Sequence, residues 1–446
     1  MTDETTKPSL PPSPATLGRF GAGVLVVALA SAAFALTFRW ALLLVVEGLS
    51  EASDVVSAMR GLPWYLRWSL PALGGLLAGA VGLISARFGS SQGVSDVMEA
   101  VVLGRGRISL RVTLLKSLAS WLAIASGGSL GREGPLIQFG GAIAQFVSSR
   151  LSLSATHSRR LIAAGAAAGF AAAYNTPFAA VLFVIEVVTG VVVLDAILPA
   201  LVATSIATAL VRAAAGEGAI YGQRVFHLMA PLELLAFAGL GIVAALTAQA
   251  FMRLLTFGEE LFRRSGLPLP WRPALGGAIA GACVALLPEI AGNGYEPLNL
   301  LLDGEFTPGF VLLLALGKAL ATTASVSSGS PGGVFTPTLL IGGATGFLYC
   351  TALSHVAQLG PAGGYALVGM AAATAASTHA PLMAAVMVFE LSGDYAIALP
   401  LVLATALATS ISRRLRRESI YAAELKQRGI AWELTIDGRR LQVTKR

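Results

Sequence analysis

Charged residues are scarce in this chain. Only 12% of its 446 residues are Asp, Glu, Lys or Arg, about half the charged fraction of soluble domains. Positions 20 to 46 carry one charge, Arg39, and positions 161 to 210 carry only Glu186 and Asp195. Such runs exceed the roughly 20 residues that span a bilayer, and the alternating pattern of a membrane β-barrel is absent. The sequence therefore predicts an all-α polytopic membrane protein and excludes a soluble domain.

Cysteine and histidine are also rare. Cys283 and Cys350 lie in apolar context without the spacing of metal ligands, and the four histidines are isolated from one another. Metal sites in proteins need several such side chains at close spacing. We expect neither a bound metal nor a resident cofactor, and the thiols indicate nothing about redox compartment.

Basic residues are not scarce, because the net charge is +7, but their distribution argues against a nucleic-acid partner. They cluster at positions 105–116, 150–160, 253–272 and 413–417, each beside an apolar run. This is the positive-inside pattern, which places these loops in the cytoplasm. Residues 1–19, polar and proline-rich at their start, are predicted to form a disordered cytoplasmic tail and not a signal peptide.

One short segment breaks the apolar pattern in an unusual way. Gly131-Arg132-Glu133-Gly134-Pro135 lies within positions 117–146, which carry no other charge. An ionised carboxylate is costly at membrane depth, so Glu133 is a functional candidate. Glycine and proline on its flanks interrupt helix continuity, which a membrane tolerates where backbone lines a cavity. We expect a helix that begins inside the membrane, with its free N–H groups directed at a site for a small anion. Arg132 and Glu133 are adjacent in sequence, so they would not face each other as an ion pair on a helix.

The chain also contains an internal repeat. Residues Gly165 to Glu186 and Gly369 to Glu390 match at nine of 22 positions with a constant offset of 204. Each copy follows a glycine-rich break, at 127–135 and at 328–337. We predict two homologous membrane repeats of tilted and broken helices, at 20–215 and 216–412, with an anion site near the midplane. Repeats of this kind are commonly inverted, although the repeat alone leaves a parallel arrangement open.

Four polar or broken segments are candidates for that site. They are Gly89–Asp96, the Glu133 pentapeptide, Gly332–Pro337 and the segment around Tyr421. With GREGP, NTPFAAVLFVIE and GSPGGVFTP in order, the chain resembles the CLC family of chloride channels and proton/chloride exchangers from about Leu70 to Leu425.

The resemblance implies a set of roles. The amides of Val334 and Phe335 and the hydroxyl of Tyr421 would hold chloride, and Gly134 would also contribute to anion binding. Glu133 would occupy the outer site as a gating carboxylate and swing away when protonated. Partial positive charges at helix N-termini suit this task, since conduction needs weak binding. The resemblance also implies a homodimer with one pore in each subunit.

Two departures from the family pattern leave alternatives open. The serine of the first family motif is replaced by Gln92, beside Gly93, which leaves anion preference open among chloride, fluoride and nitrate. The internal proton-accepting glutamate of many exchangers is replaced by Val187. We therefore expect channel-like conduction, with proton-coupled chloride exchange and fluoride/proton antiport as alternatives.

Other residues have plainer interpretations. The repeat-related Glu186 and Glu390 are predicted to be structural carboxylates that cap neighbouring helix ends. A G-x-S-x-G pattern at 127–131 raises an intramembrane serine hydrolase as a remote alternative, but the strand-to-helix context of that motif is missing. Residues 413–446 are predicted to be a short basic cytoplasmic tail that contains the Tyr421 segment. The composition suggests a bacterial inner-membrane protein.

Overall fold

The computed structural model describes residues 13–50, 52–89, 93–104, 107–216, 220–222, 224–226, 228–427, 430–435 and 438–443. The first half contains α1 (Pro14–Ser50), α2 (Val55–Gly61), α3 (Trp64–Ala86), α4 (Val94–Val102), α5 (Leu110–Ala125), α6 (Glu133–Arg150), α7 (Ala155–Tyr174), α8 (Pro177–Phe183) with a π-helical extension (Val184–Thr189), and α9 (Leu194–Ala215). The second half contains α10 (Glu233–Arg264), α11 (Trp271–Leu286), a 3₁₀ turn (Pro288–Ile290), α12 (Tyr295–Leu302), α13 (Pro308–Ser327), α14 (Phe335–Leu353), α15 (Ala362–Thr378), α16 (Pro381–Ser392) and α17 (Ala398–Leu415). Helix α18 (Ile420–Gln427) and strands β1 (Ile430–Thr435) and β2 (Gly438–Val443) follow.

The polytopic helical architecture predicted from composition is confirmed. Six segments of the described chain are long and apolar enough to cross a membrane, and shorter apolar helices accompany them. The short helices α4, α8 and α12 cannot span a bilayer alone, because each has nine residues or fewer.

The packing of the two halves is related by symmetry. Helix α6 packs on α7 as α14 packs on α15, and α3 packs on α5 as α11 packs on α13. The pairs α3 with α11 and α8 with α16 are each formed by equivalent helices, so they lie across the pseudo-two-fold axis. Helix α5 begins within the basic cluster at 105–116, whereas the C-terminal end of α13 contacts α11 near its start, beside the basic cluster at 253–272. Equivalent helices therefore run in opposite directions, and the repeats are inverted.

Glycine allows the same close approach in both halves. A Cβ on Gly140 or Gly165 would collide with the carbonyl oxygen of the other, where α6 crosses α7. Gly342 and Gly369 form the equivalent contact between α14 and α15. Small residues at such crossings let helix backbones pack directly in a membrane protein, and this packing holds α6 and α14 in matching positions.

The two ends of the chain differ from the sequence-based expectation. Helix α1 begins at Pro14, inside the predicted disordered tail 1–19, because Pro14 occupies the first helical position and the Ser13 Oγ accepts a hydrogen bond from the Thr16 N–H at 3.3 Å; residues 1–12 lie outside the described residues. Helix α17 continues to Leu415, three residues past the predicted boundary at 412.

The basic tail predicted at 413–446 contains regular structure. Helix α18 packs against α4 and α15, and β1 pairs with β2 in an antiparallel hairpin with Thr435 opposite Gly438. The hairpin signal is present in the sequence as alternating apolar residues before the Asp437-Gly438 dipeptide. The basic composition of the segment concealed that signal.

Candidate anion site

Two broken helices meet at the centre of the molecule. The residues before α6 and before α14 run past each other and form an isolated antiparallel bridge between Gly131 and Gly333. Each of these glycines donates its N–H to the carbonyl oxygen of the other, both at 2.7 Å. The N-termini of α6 and α14 therefore lie side by side, and their partial positive charges add in the same small volume.

Glu133 lies between these two helix starts. It is the first residue of α6, and only 1% of its surface is exposed. Its Oε1 accepts a hydrogen bond from the Phe335 N–H at 2.8 Å, and its Oε2 accepts one from the Thr336 hydroxyl at 3.2 Å. The carboxylate thus takes the position of an anion at the N-terminus of α14 and faces neither lipid nor bulk water. Glu133 is in no salt bridge with Arg132.

The polar shell of the carboxylate includes residues that the sequence reasoning did not assign. The Thr336 hydroxyl also lies 3.0 Å from the Tyr174 hydroxyl. A separate buried contact joins the Ser129 and Thr322 hydroxyls at 2.8 Å. Thr336 belongs to the GGVFTP motif itself, and only the amides of that motif were assigned a role. Tyr174 carried no signal of its own in an apolar context, and Ser129 was considered only as the serine of the G-x-S-x-G pattern.

A cavity of about 1130 Å³ connects the carboxylate to one face of the protein. Four of the predicted site residues line it with Glu133, namely Gly93, Gly134, Val334 and Tyr421. Gly93 precedes α4 with φ of 101°, a conformation that glycine adopts at low cost. Gln92 lies outside the described residues. Arg263, Arg272, Arg416 and Lys426 line the mouth of this cavity, which identifies it as the cytoplasmic side by the positive-inside rule.

Tyr421 belongs to this inner cavity by its packing. It is only 9% exposed, and its ring lies edge-on to the Phe183 ring at 6.2 Å between centroids. Short helix α18 carries it beneath α4 and α15. The structure therefore brings Tyr421 into the same cavity as Glu133 and Val334, although the three are far apart in sequence.

The two repeat-related glutamates cap each other's helices. Glu186 accepts hydrogen bonds from the Leu382 and Met383 N–H groups at 3.2 and 2.7 Å, at the start of α16. Glu390 accepts them from the Phe178 and Ala179 N–H groups at 3.1 and 2.8 Å, at the start of α8. This reciprocal geometry is the capping role expected from the repeat. Val187, beside Glu186, is buried at 1% exposure in the π-helical segment.

The geometry can hold a small anion without a full positive charge at its centre. Backbone N–H groups of two helix starts converge where a carboxylate now accepts them, and a water-sized path reaches that point from the cytoplasm. A halide and the Glu133 carboxylate would compete for the same donors. Protonation would remove the charge that makes the carboxylate the better competitor.

Comparison with known proteins agrees with this geometry. Residues 74–413 match the sequence model of the family described as voltage gated chloride channel. The chain is 38% identical to a ClcB-like protein of Ralstonia nicotianae, over 83% of this chain and 88% of that one. It is 34% identical to a voltage-gated ClC-type chloride channel ClcB of Citrobacter koseri, over 86% of this chain and 93% of that one.

Solved structures give the same fold. The crystal structure of a slow cyanobacterial Cl⁻/H⁺ antiporter superposes with a TM-score of 0.81 at 25% identity, over 94% of this chain and 99% of that one. The structure of a CLC-type fluoride/proton antiporter superposes with a TM-score of 0.78 at 24% identity, over 92% and 98% of the two chains.

Proposed function

The chain belongs to the voltage gated chloride channel family, and we propose that it conducts chloride through a channel-like pathway gated by Glu133. It is a multi-pass protein of the bacterial inner membrane that transports anions. One observation carries this proposal: the Glu133 carboxylate accepts the Phe335 N–H at 2.8 Å at the meeting point of two half-helices. In that position it blocks the donors that chloride needs. The Val334 and Phe335 amides, the Gly134 amide and the Tyr421 hydroxyl hold the ion when the carboxylate leaves.

Channel-like conduction is favoured over exchange by the inner end of the pathway. Coupled exchange needs a proton acceptor that is reached separately from the anion, and the position after Glu186 holds the apolar Val187. A buried valine carries no proton. Proposed roles for Gln92 and Gly93 at the inner entrance, and the homodimer, rest on the family resemblance.

Proton-coupled chloride exchange is the second candidate. Two observations favour it: the similarity to the cyanobacterial Cl⁻/H⁺ antiporter along 94% of this chain, and the inner cavity, which Glu259 and Glu424 line together with Glu133. Carboxylates on a wet path to the gate could deliver protons without an acid at 187. Fluoride/proton antiport rests on the replacement of the first-motif serine by Gln92, and the intact GGVFTP motif weighs against it.

A flux assay in liposomes with chloride and pH electrodes separates the two modes. With chloride efflux driven by its own gradient, the channel proposal predicts no stoichiometric proton movement in the opposite direction, and such movement would establish exchange instead. Running the same assay with fluoride and nitrate ranks the anions.

The gate is tested with Glu133→Gln, which keeps the shape of the side chain but removes its charge. We expect chloride flux to persist and to lose its dependence on pH. Glu305→Gln, which removes a carboxylate from an exposed loop, is the matched control and should keep the pH dependence of the parent. A Glu133→Gln protein with the pH response of the parent would refute the gate.

A further inference from the structure

A second cavity lies on the outer side of the Gly131–Gly333 bridge. Its volume is about 430 Å³, and its walls come from the distal half of α1, the start of α6, the ends of α7 and α9, and the start of α12. Helix α7 begins in the basic cluster at 150–160, which the positive-inside rule places on the cytoplasmic side, and its opposite end lines this cavity, so the cavity faces outward. It lies apart from the inner cavity that Tyr421 lines.

Two guanidinium groups, those of Arg39 and Arg132, share this cavity. Arg39 is the only charge in the apolar run from 20 to 46, and it is close enough to Arg132 for the like charges to repel. Within the described ranges, neither of them forms a salt bridge with a carboxylate. Two cations held together in a partly desolvated site are unfavourable unless an anion compensates them.

Within the described residues, Arg132 does not use all of its N–H donors in hydrogen bonds. Its Nη2 donates to the Ala173 carbonyl oxygen at 3.3 Å, and its guanidinium lies 5.3 Å from the centre of the Tyr295 ring. Its Nε is buried and has no acceptor in the part of the chain that the structure describes. A guanidinium carries five N–H donors, so Arg132 retains capacity for a further acceptor.

Two carboxylates, those of Asp54 and Glu296, also line this cavity. Both oxygens of Asp54 accept hydrogen bonds from Ser57, at 2.8 Å from its N–H and 2.6 Å from its hydroxyl, which caps α2. Glu296 interacts electrostatically with the ammonium of Lys318 and with the Arg132 guanidinium. It therefore offsets part of the positive charge of Arg132, whereas Arg39 forms no salt bridge within the described ranges.

We propose that this outer cavity binds a small monovalent inorganic anion between Arg39 and Arg132 and serves as the outer loading site of the transport pathway. The proposal rests on the anion transport proposed above and adds a site that the Glu133 gate does not contain. The cavity has room for a small anion with several waters, so binding there is weak and allows release toward the gate. Arg132 connects the two sites, because its neighbour in sequence is Glu133.

The main test is a sided measurement of anion affinity in the reconstituted full-length protein. For Arg39→Gln, we expect the half-saturating external chloride concentration to rise about fourfold, the effect of one unit charge roughly 5 Å away in a water-like dielectric. The half-saturating internal concentration should not change. Arg39→Lys keeps the charge and should retain most of the external affinity. Arg67→Gln, which removes a charge near the start of α3 outside the cavity, should match the parent.

Anomalous diffraction from crystals soaked in bromide locates the ion directly. We expect a peak between Arg39 and Arg132 in the parent and no peak there in Arg39→Gln, while a peak near the start of α14 remains in both. The absence of a peak in the parent cavity, or equal external affinities for Arg39→Gln and Arg67→Gln, would overturn the outer site while leaving the gate proposal intact. Bromide in the cavity of a protein that moves no chloride would support the outer site and refute the transport mode.

Discussion

The two halves of the molecule share a backbone but differ in charge at the point where they meet. Helix α6 begins with Glu133 and helix α14 begins with Phe335, and the Gly131–Gly333 bridge places the two starts side by side. Both starts supply partial positive charge, yet only one carries a carboxylate to compete for it. The comparison shows that the repeat builds a symmetric anion site and that a single side chain makes it a gate.

The largest effect should come from closing the space that the carboxylate occupies. A Cβ on Gly131 or on Gly333 would collide with the Glu133 carboxylate. Neither glycine has positive φ, so the backbone conformation accepts alanine and the unfavourable contact is the one with the carboxylate. We expect Gly131→Ala and Gly333→Ala to expel the carboxylate and to give chloride flux that is independent of pH, as in Glu133→Gln. Chloride efflux at neutral and acidic pH measures this.

Gly309→Ala is the matched control, because nothing lies within 4 Å of the added Cβ. It should keep the pH response of the parent. If Gly131→Ala and Gly333→Ala keep that response too, the carboxylate does not gate from between the two helix starts.

The sequence predicted the elements of this site better than their surroundings. GREGP and GGVFTP predicted broken helices because glycine, proline and an isolated charge interrupt a helix at membrane depth mainly where the backbone lines a functional site. The offset of 204 predicted the capping by Glu186 and Glu390. In contrast, Thr336 and Tyr174 act through contacts between segments far apart in the chain, which no local pattern encodes.

The outer cavity shows the same limit. Arg39 was visible as a lone charge in an apolar run, but only the packing of α1 against α6 places it beside Arg132. The helix at Pro14 and the hairpin after Ile430 were missed for a different reason. In both segments a polar composition outweighed local signals, the Ser-Pro helix start and the Asp-Gly turn.

A second difference between the halves concerns two lysines 202 residues apart. Lys116 on α5 lines the inner cavity, whereas Lys318 on α13 is fully buried and donates to the Ile290 and Gly292 carbonyl oxygens at 2.9 and 2.8 Å. Lys318 therefore fixes the loop that leads into α12. We expect Lys318→Met to lower the free energy of unfolding by about 3 kcal/mol, since it leaves carbonyls and the Glu296 carboxylate without their partner.

Lys116→Met is the comparison variant, and we expect it to cost less than about 1 kcal/mol because water can solvate the groups it leaves. Its effect should instead be a weaker internal affinity for chloride. Denaturant unfolding in detergent measures the first quantity and sided flux the second. Equal stability losses in the two variants would contradict the difference in burial.

For the two capping glutamates, we expect the same loss of stability in both halves. Each accepts two backbone N–H groups from the other half, so Glu186→Ala and Glu390→Ala should each cost about 1 to 3 kcal/mol, because helix N–H groups away from bulk water lose their acceptors. Both variants should keep the pH dependence of chloride flux. A Glu186→Ala protein of unchanged stability but altered proton response would give Glu186 a role in transport that Glu390 lacks.

The smallest expected effect concerns the C-terminal ends of α4 and α12, where an arginine contacts the C-cap residue in two different ways. Arg159 donates to the carbonyl oxygen of the C-cap Leu103 at 3.3 Å, whereas Arg224 pairs with the carboxylate of the C-cap Asp303 at 2.6 Å. This guanidinium lowers the pKa of Asp303 below its ordinary value of 3.8. The pair therefore contributes stability above the pKa of the unfolded chain, and the contribution is lost as pH falls through the lower pKa of the folded protein.

Because the Asp303 side chain is 46% exposed, we expect Asp303→Asn to cost less than about 1 kcal/mol at neutral pH and to flatten the decline of the unfolding midpoint in acid. Arg159→Gln removes the equivalent contact from α4 without a carboxylate, so it should leave the shape of that acid decline unchanged; a change as large as that of Asp303→Asn would trace the decline to other groups.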